Sequence, residues 1–388
     1  MLNFEYQNPT KIIFGKGTFA KAGEEASKLG KRVLICTGTG AIRRMGLIDR
    51  LEKNLKANGL EVFLLEGIQP NPKITSVYEG IDICKKNNVD LILAIGGGST
   101  IDCAKAIATG ALCDGDVWEF YASKKDDVTK ALPLGTILTL PATGTEMNGN
   151  SVVSKWDTKE KLFIYGPAIF PKFSILDPEL TFSIPQNHTV YGVVDIIVHV
   201  LEQYFTHTLE TPMLDRFGEG IILTLIENIY KVLENPSDYD ARANIMFCGT
   251  MGNSHLIGLG KDQDWASHMI EHELSAIYDI SHGAGLAIIY PNWMKYAMKA
   301  DYGKFAQFAQ RVFGVETKNR GEEEIAVEGA EKMREFFNSI GAPSKLAEVG
   351  IGEENLALMA ERCVRFGVVG GYMQLKEEDV LNILKMSL

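Results

Sequence analysis

Two short stretches of this chain carry residues able to hold a metal ion. In Val190-Tyr-Gly-Val-Val-Asp195-Ile-Ile-Val-His199-Val-Leu-Glu202-Gln203-Tyr204, Asp195 and His199 lie four residues apart. That spacing stacks a carboxylate and an imidazole on one face of a helix. Val193, Val194, Ile196, Ile197, Val198, Val200 and Leu201 surround them, so the carboxylate needs something to offset its desolvation. A bound cation would do so, and so would a buried Asp–His hydrogen bond; the pair alone leaves both open. In Trp265-Ala-Ser-His268-Met-Ile-Glu-His272-Glu273 the spacing recurs between His268 and His272, and His282 follows in Ile280-Ser-His282-Gly283-Ala-Gly285. Four of the seven histidines thus cluster with Asp195. Nitrogen-rich ligation with one carboxylate suits iron or zinc and suits calcium or magnesium poorly.

The rest of the chain must position these groups. Its 388 residues exceed what one hydrophobic core usually holds, so two domains are expected. The net charge is −11, and no basic tract interleaves with aromatics, which argues against nucleic acid or anionic membrane as partners. No apolar run approaches the ~20 residues of a membrane span, and Met-Leu-Asn-Phe-Glu-Tyr does not read as a secretory signal. Six scattered cysteines without a C-x-x-C pair read as small buried hydrophobes in a reducing compartment, so a cytoplasmic location is expected.

Strand-like runs at Lys11–Phe14, Arg32–Thr37, Glu61–Glu66 and Leu91–Ile95 alternate with helical stretches near 19–29, 47–58 and 74–88. This alternation predicts a doubly wound parallel sheet. After Leu91–Ile95 comes Gly96-Gly97-Gly98-Ser99-Thr100-Ile101-Asp102. Glycines between a strand and a helix let backbone N–H groups approach a phosphate, and the helix N-terminus favours its charge. The spacing is not the G-x-G-x-x-G fingerprint, and such turns also occur for packing reasons. Asp102 reads either as a nucleotide-facing acceptor or as a favourable charge near the helix dipole. A buried strand through Thr139 ends in the polar loop Ala142-Thr143-Gly144-Thr145-Glu146, able to bracket a ribose and nicotinamide. After Pro185 helical periodicity takes over, at about 189–205, 213–234, 238–258, 264–278, 283–298, 301–313, 322–340 and from Glu377. The expected division is an α/β dinucleotide-binding domain with a Rossmann-like parallel sheet over 1–186 and an all-α metal-binding domain over 187–388.

Together, Gly96-Gly-Gly-Ser with Asp102, the Ala142–Glu146 loop, Asp195-x-x-x-His199 and the His268…His282 segment resemble the iron-containing (group III) alcohol dehydrogenases. Within that family the chain resembles the branch of NADPH-dependent butanol dehydrogenases and broad-range aldehyde reductases. Asn8-Pro-Thr-Lys-Ile-Ile-Phe-Gly-Lys-Gly, Gln69-Pro-Asn71-Pro, Asp240-Ala-Arg-Ala-Asn and His272-Glu-Leu-Ser-Ala share the likeness, which runs from about residue 3 to 350. The resemblance implies a dehydroquinate-synthase-like fold and a homodimer. It implies Asp195, His199, His268 and His282 as metal ligands, with Fe2+ favoured and Zn2+ possible, and His272 beside the site rather than on the metal. It sets the nucleotide across a cleft between the domains, with pyrophosphate at Gly97-Gly98-Ser99. Asn71, Asp102, Thr139 and Thr143 then lie nearby, and Lys161 and Leu180 flank the ribose and adenine.

The expected chemistry is hydride transfer between NADP(H) and small primary alcohols or aldehydes such as butanol and butanal. Asp195 and His268 serve as catalytic metal ligands, and His272 relays a proton or hydrogen-bonds Glu202 or Asp264. Trp265, Met269 and Ile270 suggest an apolar substrate wall. After the strand ending at Thr37, Gly38-Thr39-Gly40-Ala41-Ile42-Arg43-Arg44 contains no carboxylate, which favours a 2′-phosphate and hence NADP(H) over NAD(H). Thr39 and Ala41 depart from the glycine and serine of that branch. The alternatives are a glycerol-dehydrogenase-like zinc enzyme using NAD, a lyase like dehydroquinate synthase, and a non-catalytic metal-binding module.

Overall fold

A computed structural model describes residues 1–123 and 127–388. The α/β unit comprises Gln7–Ile184 and Pro236–Thr250. Its strands β1 (Lys11–Phe14), β2 (Arg32–Gly38), β3 (Glu61–Ile68), β4 (Leu91–Gly97), β5 (Leu134–Leu140) and β8 (Phe173–Leu176) form one sheet in the order β1-β8-β5-β4-β2-β3. Every pairing in it is parallel. A separate antiparallel hairpin joins β6 (Asn150–Lys155) and β7 (Glu160–Tyr165).

The near-continuous apolar runs of β2 and β4 follow from burial on both faces. Alternate residues point to opposite sides. Val33, Ile35, Leu91, Leu93 and Ile95 join one core cluster, and Leu34, Cys36, Ile92 and Ala94 join the other.

The strand order creates the position where a ligand can sit. From β2 the chain moves outward to β3, then returns to lay β4 on the other side of β2 and continues outward through β5 and β8. The carboxyl ends of β2 and β4 therefore flank a topological switch point, where open α/β sheets leave a crevice. Gly38–Gly40 leaves β2 there, and Gly96–Gly98 ends β4 and opens the helix Gly98–Gly110.

The second unit contains Met1–Tyr6, Pro185–Asn235 and Met251–Leu388. Its helices include Gln186–Tyr204, Pro212–Glu234, Ala266–Tyr278, His282–Ala297, Gly303–Phe313, Glu322–Ser339, Leu356–Cys363 and Glu377–Met386. An aromatic cluster anchors it, with Phe205 stacked on Phe305 at 4.1 Å between centroids and Trp293 and Phe308 alongside. Among the described residues, no helix is long and apolar enough to cross a membrane.

The helix expected over 238–258 runs Tyr239–Gly252, and most of it belongs to the α/β unit. Met246 lies in that unit's core, Phe247 meets Phe14 edge-on at 5.8 Å, and Thr250 Oγ1 donates to Glu146 Oε1 at 2.6 Å. These partners are far away in sequence, so helical periodicity could not reveal the exchange.

Candidate active site

On the helix Gln186–Tyr204, Asp195, His199 and Glu202 stand at i, i+4 and i+7, one stripe facing inward. All three are buried. The helix Ala266–Tyr278 contributes His268, Glu271, His272 and Ser275. Trp265 immediately precedes it in the left-handed region, with φ 68°. His282 is the first residue of the helix His282–Ala297.

These helices gather three imidazole nitrogens around one carboxylate oxygen. Asp195 Oδ1 lies 3.2 Å from His199 Nδ1, 3.9 Å from His268 Nε2 and 3.7 Å from His282 Nε2. Donors bound at the ~2.0–2.2 Å typical of tetrahedral zinc sit about 3.3–3.6 Å from one another, so these separations fit a coordination shell. Donor atoms of Asp195, His268 and His282 all lie within 4.8 Å of one another. His199 stands just outside that tight set, its ring centroid 4.5 Å from that of His268.

His199 Nδ1 and His268 Nε2 are buried and make no hydrogen bond, a costly state for polar atoms that a cation would relieve. Burial, then the neighbouring His268 and His282, push His199 well below its usual pKa. These influences favour its neutral form, the form that can donate to a metal. The donor set fits a divalent transition metal.

Two carboxylates stand behind the histidines, of which the sequence named Glu202 only as a partner for His272 and gave Glu271 no role. Glu202 Oε1 accepts from His268 Nδ1 at 2.9 Å, from the His268 backbone N–H at 3.2 Å and from Ser267 Oγ at 2.6 Å. Glu202 Oε2 accepts from the Trp265 N–H at 2.9 Å. Glu271 pairs with His282 Nδ1 and accepts from Ser275 Oγ. The only local signals were Glu202 at i+7 from Asp195 and Glu271 at i+3 from His268.

Glu202, which the sequence offered with Asp264 as a partner for His272, engages His268. Asp264 accepts from the N–H groups of Ala266 and Tyr372 at 2.8 and 2.9 Å. The tail around Tyr372 thus packs on the segment leading into the His268 helix. His272 lies with its ring 5.6 Å from that of His282. Trp265 walls the centre, 6.0 Å from the His199 ring and 5.2 Å from the His268 ring, whereas Ile270 is buried.

In the α/β unit, the glycine turn closes on the end of β5. A Cβ on Gly98 would lie 2.6 Å from the Thr143 side chain, one on Gly97 3.1 Å from Leu140 Cβ, and one on Gly38 3.7 Å from Thr100 Oγ1. Gly38–Gly40, Gly97–Ser99 and Thr139–Thr143 are thereby brought together. Gly97 caps the helix Gly98–Gly110 without a side-chain bond, which leaves first-turn N–H groups for an anion. Asn71 takes a left-handed φ of 48° after β3, and Lys161 pairs across the hairpin with Ser154. The Leu180 side chain belongs to the core cluster with Ile42 and Ile95.

Asp102 turns inward. Its carboxylate accepts from Thr145 Oγ1 at 2.6 Å and the Val152 N–H at 3.0 Å. One turn on, the fully buried Lys105 Nζ donates to the carbonyl oxygens of Thr145, Asn148 and Asn150 at 2.7–2.8 Å. This pair, whose lysine the sequence reading passed over, fixes the loop that follows Thr143.

At the β2 loop, Arg43 is clamped by Glu66 through Nε and Nη2 at 2.7 and 2.8 Å. Arg44 is oriented differently: a Cβ on Gly40 would lie 3.4 Å from its Nη1.

Comparison with known proteins agrees over both units. Residues 9–178 match the family described as iron-containing alcohol dehydrogenase, and residues 189–388 match the C-terminal part of the Fe-containing alcohol dehydrogenase family. The chain is 47% identical to a probable NADH-dependent butanol dehydrogenase of Bacillus subtilis, covering 100% of both chains. It is 36% identical to the NADPH-dependent aldehyde reductase of Escherichia coli, over 95% of this chain and 94% of the other. The crystal structure of an NADH-dependent butanol dehydrogenase A from Thermotoga maritima superposes with a TM-score of 0.96 at 40% identity, covering 100% of this chain and 99% of that one. With its parallel-sheet unit and its helical unit, this chain is an oxidoreductase of the iron-containing alcohol dehydrogenase family.

Proposed function

We propose that this protein exchanges a hydride between a nicotinamide dinucleotide and small primary alcohols or aldehydes of the butanol/butanal type, at a divalent metal held by Asp195, His199, His268 and His282. The observation that carries this reading is the set of three imidazole nitrogens 3.2–3.9 Å from Asp195 Oδ1, beside the indole of Trp265. When bound, the metal supplies Lewis acidity, polarising a carbonyl or lowering the pKa of an alcohol. Asp195 contributes the anionic donor and the histidines contribute neutral ones. His272 moves the proton to or from the alcohol oxygen. Trp265 keeps water away from the reacting carbon.

In the same reading the N–H groups of Gly97–Ser99 hold the pyrophosphate, bracketed by Gly38–Gly40, Asn71, Thr139 and Thr143. Arg44, the guanidinium of this loop that Glu66 does not clamp, supports NADP(H) by offering a partner for a 2′-phosphate. NAD(H) is the second reading, favoured by the NADH-dependent name of the Bacillus relative at 47% identity. A homodimer in the cytoplasm completes the proposal.

The test is to quantify bound metal and follow the reduced-nicotinamide absorbance with butanal and either dinucleotide. Turnover that a chelator abolishes and that His268→Ala lacks is expected. Turnover that survives both treatments would refute the metal site.

A further inference from the structure

We infer that Glu202 and Glu271 are positioning residues that set the affinity of the metal centre, each by fixing the tautomer and aim of one histidine. The inference rests on the metal site proposed above. Glu202 engages His268 at Nδ1, and Glu271 engages His282 at Nδ1. In both rings this leaves Nε2 as the nitrogen nearest Asp195, at 3.9 and 3.7 Å. With a carboxylate accepting at Nδ1, the proton sits there and the Nε2 lone pair faces the centre. Such an acceptor also makes the imidazole a stronger base toward a metal.

The two carboxylates are themselves held in place. Both are fully buried. Glu202 takes two backbone N–H groups at the start of the His268 helix, from Trp265 and His268. Glu271 is backed by Ser275 Oγ, and Gly285 gives it room, since a Cβ there would lie 2.7 Å from Glu271 Cγ. The arrangement is therefore duplicated on two different histidines by two different helices. Two carboxylates serving only to cap helices would have no reason each to meet a ligand imidazole.

The test uses the full chain stripped of metal, with Zn2+ titrated in competition with a chromophoric chelator. The wild type, Glu202→Gln, Glu271→Gln and Asp195→Ala are compared, and the unfolding temperature of each apoprotein is recorded. Glutamine keeps the side chain's shape and an acceptor oxygen but removes the charge. Each glutamine variant is expected to bind Zn2+ about 10–100-fold more weakly than wild type, a loss read on folded protein and independent of turnover. A loss below threefold in both variants overturns the inference, whatever happens to the unfolding temperature. Should Glu202→Gln fail to fold, Glu271→Gln decides alone. Asp195→Ala binding Zn2+ as tightly as wild type would instead show that the proposed metal site is wrong, and the inference would fall with it.

Discussion

Gly283 and Tyr191 meet backbone to backbone: a Cβ on Gly283 would lie 2.1 Å from the Tyr191 carbonyl oxygen. This close approach seats the start of the His282 helix against the helix that carries Asp195. Gly283→Ala must push the two apart, so a loss of about 1–3 kcal/mol from overpacking is expected. The bound-metal content per chain should fall with it, because His282, a proposed ligand, is the residue next door. Urea denaturation and metal analysis read the two effects. Full stability with full metal content would contradict the packing argument.

Gly98 stands in the same relation to Thr143, with a virtual Cβ 2.6 Å from its side chain. Gly98→Ala should open the turn proposed above to hold the pyrophosphate. Strain of about 1–3 kcal/mol corresponds to a rise of roughly five- to 150-fold in the dinucleotide KM, with metal content unchanged. An unaltered KM would show that the phosphate is held elsewhere.

Arg44 and Arg43 are adjacent in sequence yet differ in engagement, since only Arg43 is clamped by Glu66. Arg44→Ala should therefore lower kcat/KM for NADPH by roughly 10- to 150-fold, in line with the ~1.5–3 kcal/mol of a charge-assisted hydrogen bond, and leave NADH nearly untouched. Equal effects on both dinucleotides would remove Arg44 from 2′-phosphate recognition.

A pH dependence follows from Asp215, on the helix Pro212–Glu234. Burial alone would raise its pKa, but hydrogen bonds from Lys304 and Lys261 outweigh that and hold the carboxyl below its ordinary value. Its contribution is complete above the unfolded value of about 3.9 and is lost as pH falls through the lower folded value. Asp215→Asn leaves two buried ammonium groups without their counterion, so it should cost about 3–5 kcal/mol near neutral pH. Below about pH 4 the gap to wild type should close. Denaturation midpoints measured from pH 7 down to 3 decide this, and a gap that stays constant would discount the ion cluster.

Much of the site could be read from local pattern. The Asp195-x-x-x-His199 step and the spacing within the His268 helix are helical periods, and a helix carries such residues on one face whatever surrounds it. The glycine turn was legible for the same reason, since strand, glycines and helix are consecutive. Asp102 shows where this ends. From sequence it could face a nucleotide or merely suit the helix dipole, whereas its partners, Thr145 and Val152, lie 43 and 50 residues away. Lys105 was passed over because no local pattern marks a lysine whose acceptors are carbonyls about 40 residues on.

The sequence by itself determined the family, the alternation that makes a parallel sheet, the change to helices after Pro185 and the identity of the candidate ligands. Each is encoded in short periods or contiguous motifs, where a residue's role depends on near neighbours. Tertiary structure alone decided that Glu202 serves His268, that Glu271 serves His282, and that Pro236–Thr250 belongs with the sheet. Those relationships depend on which helices pack together and at what separation. Side-chain burial and backbone contact set that separation across many residues, and no single stretch of the chain records it.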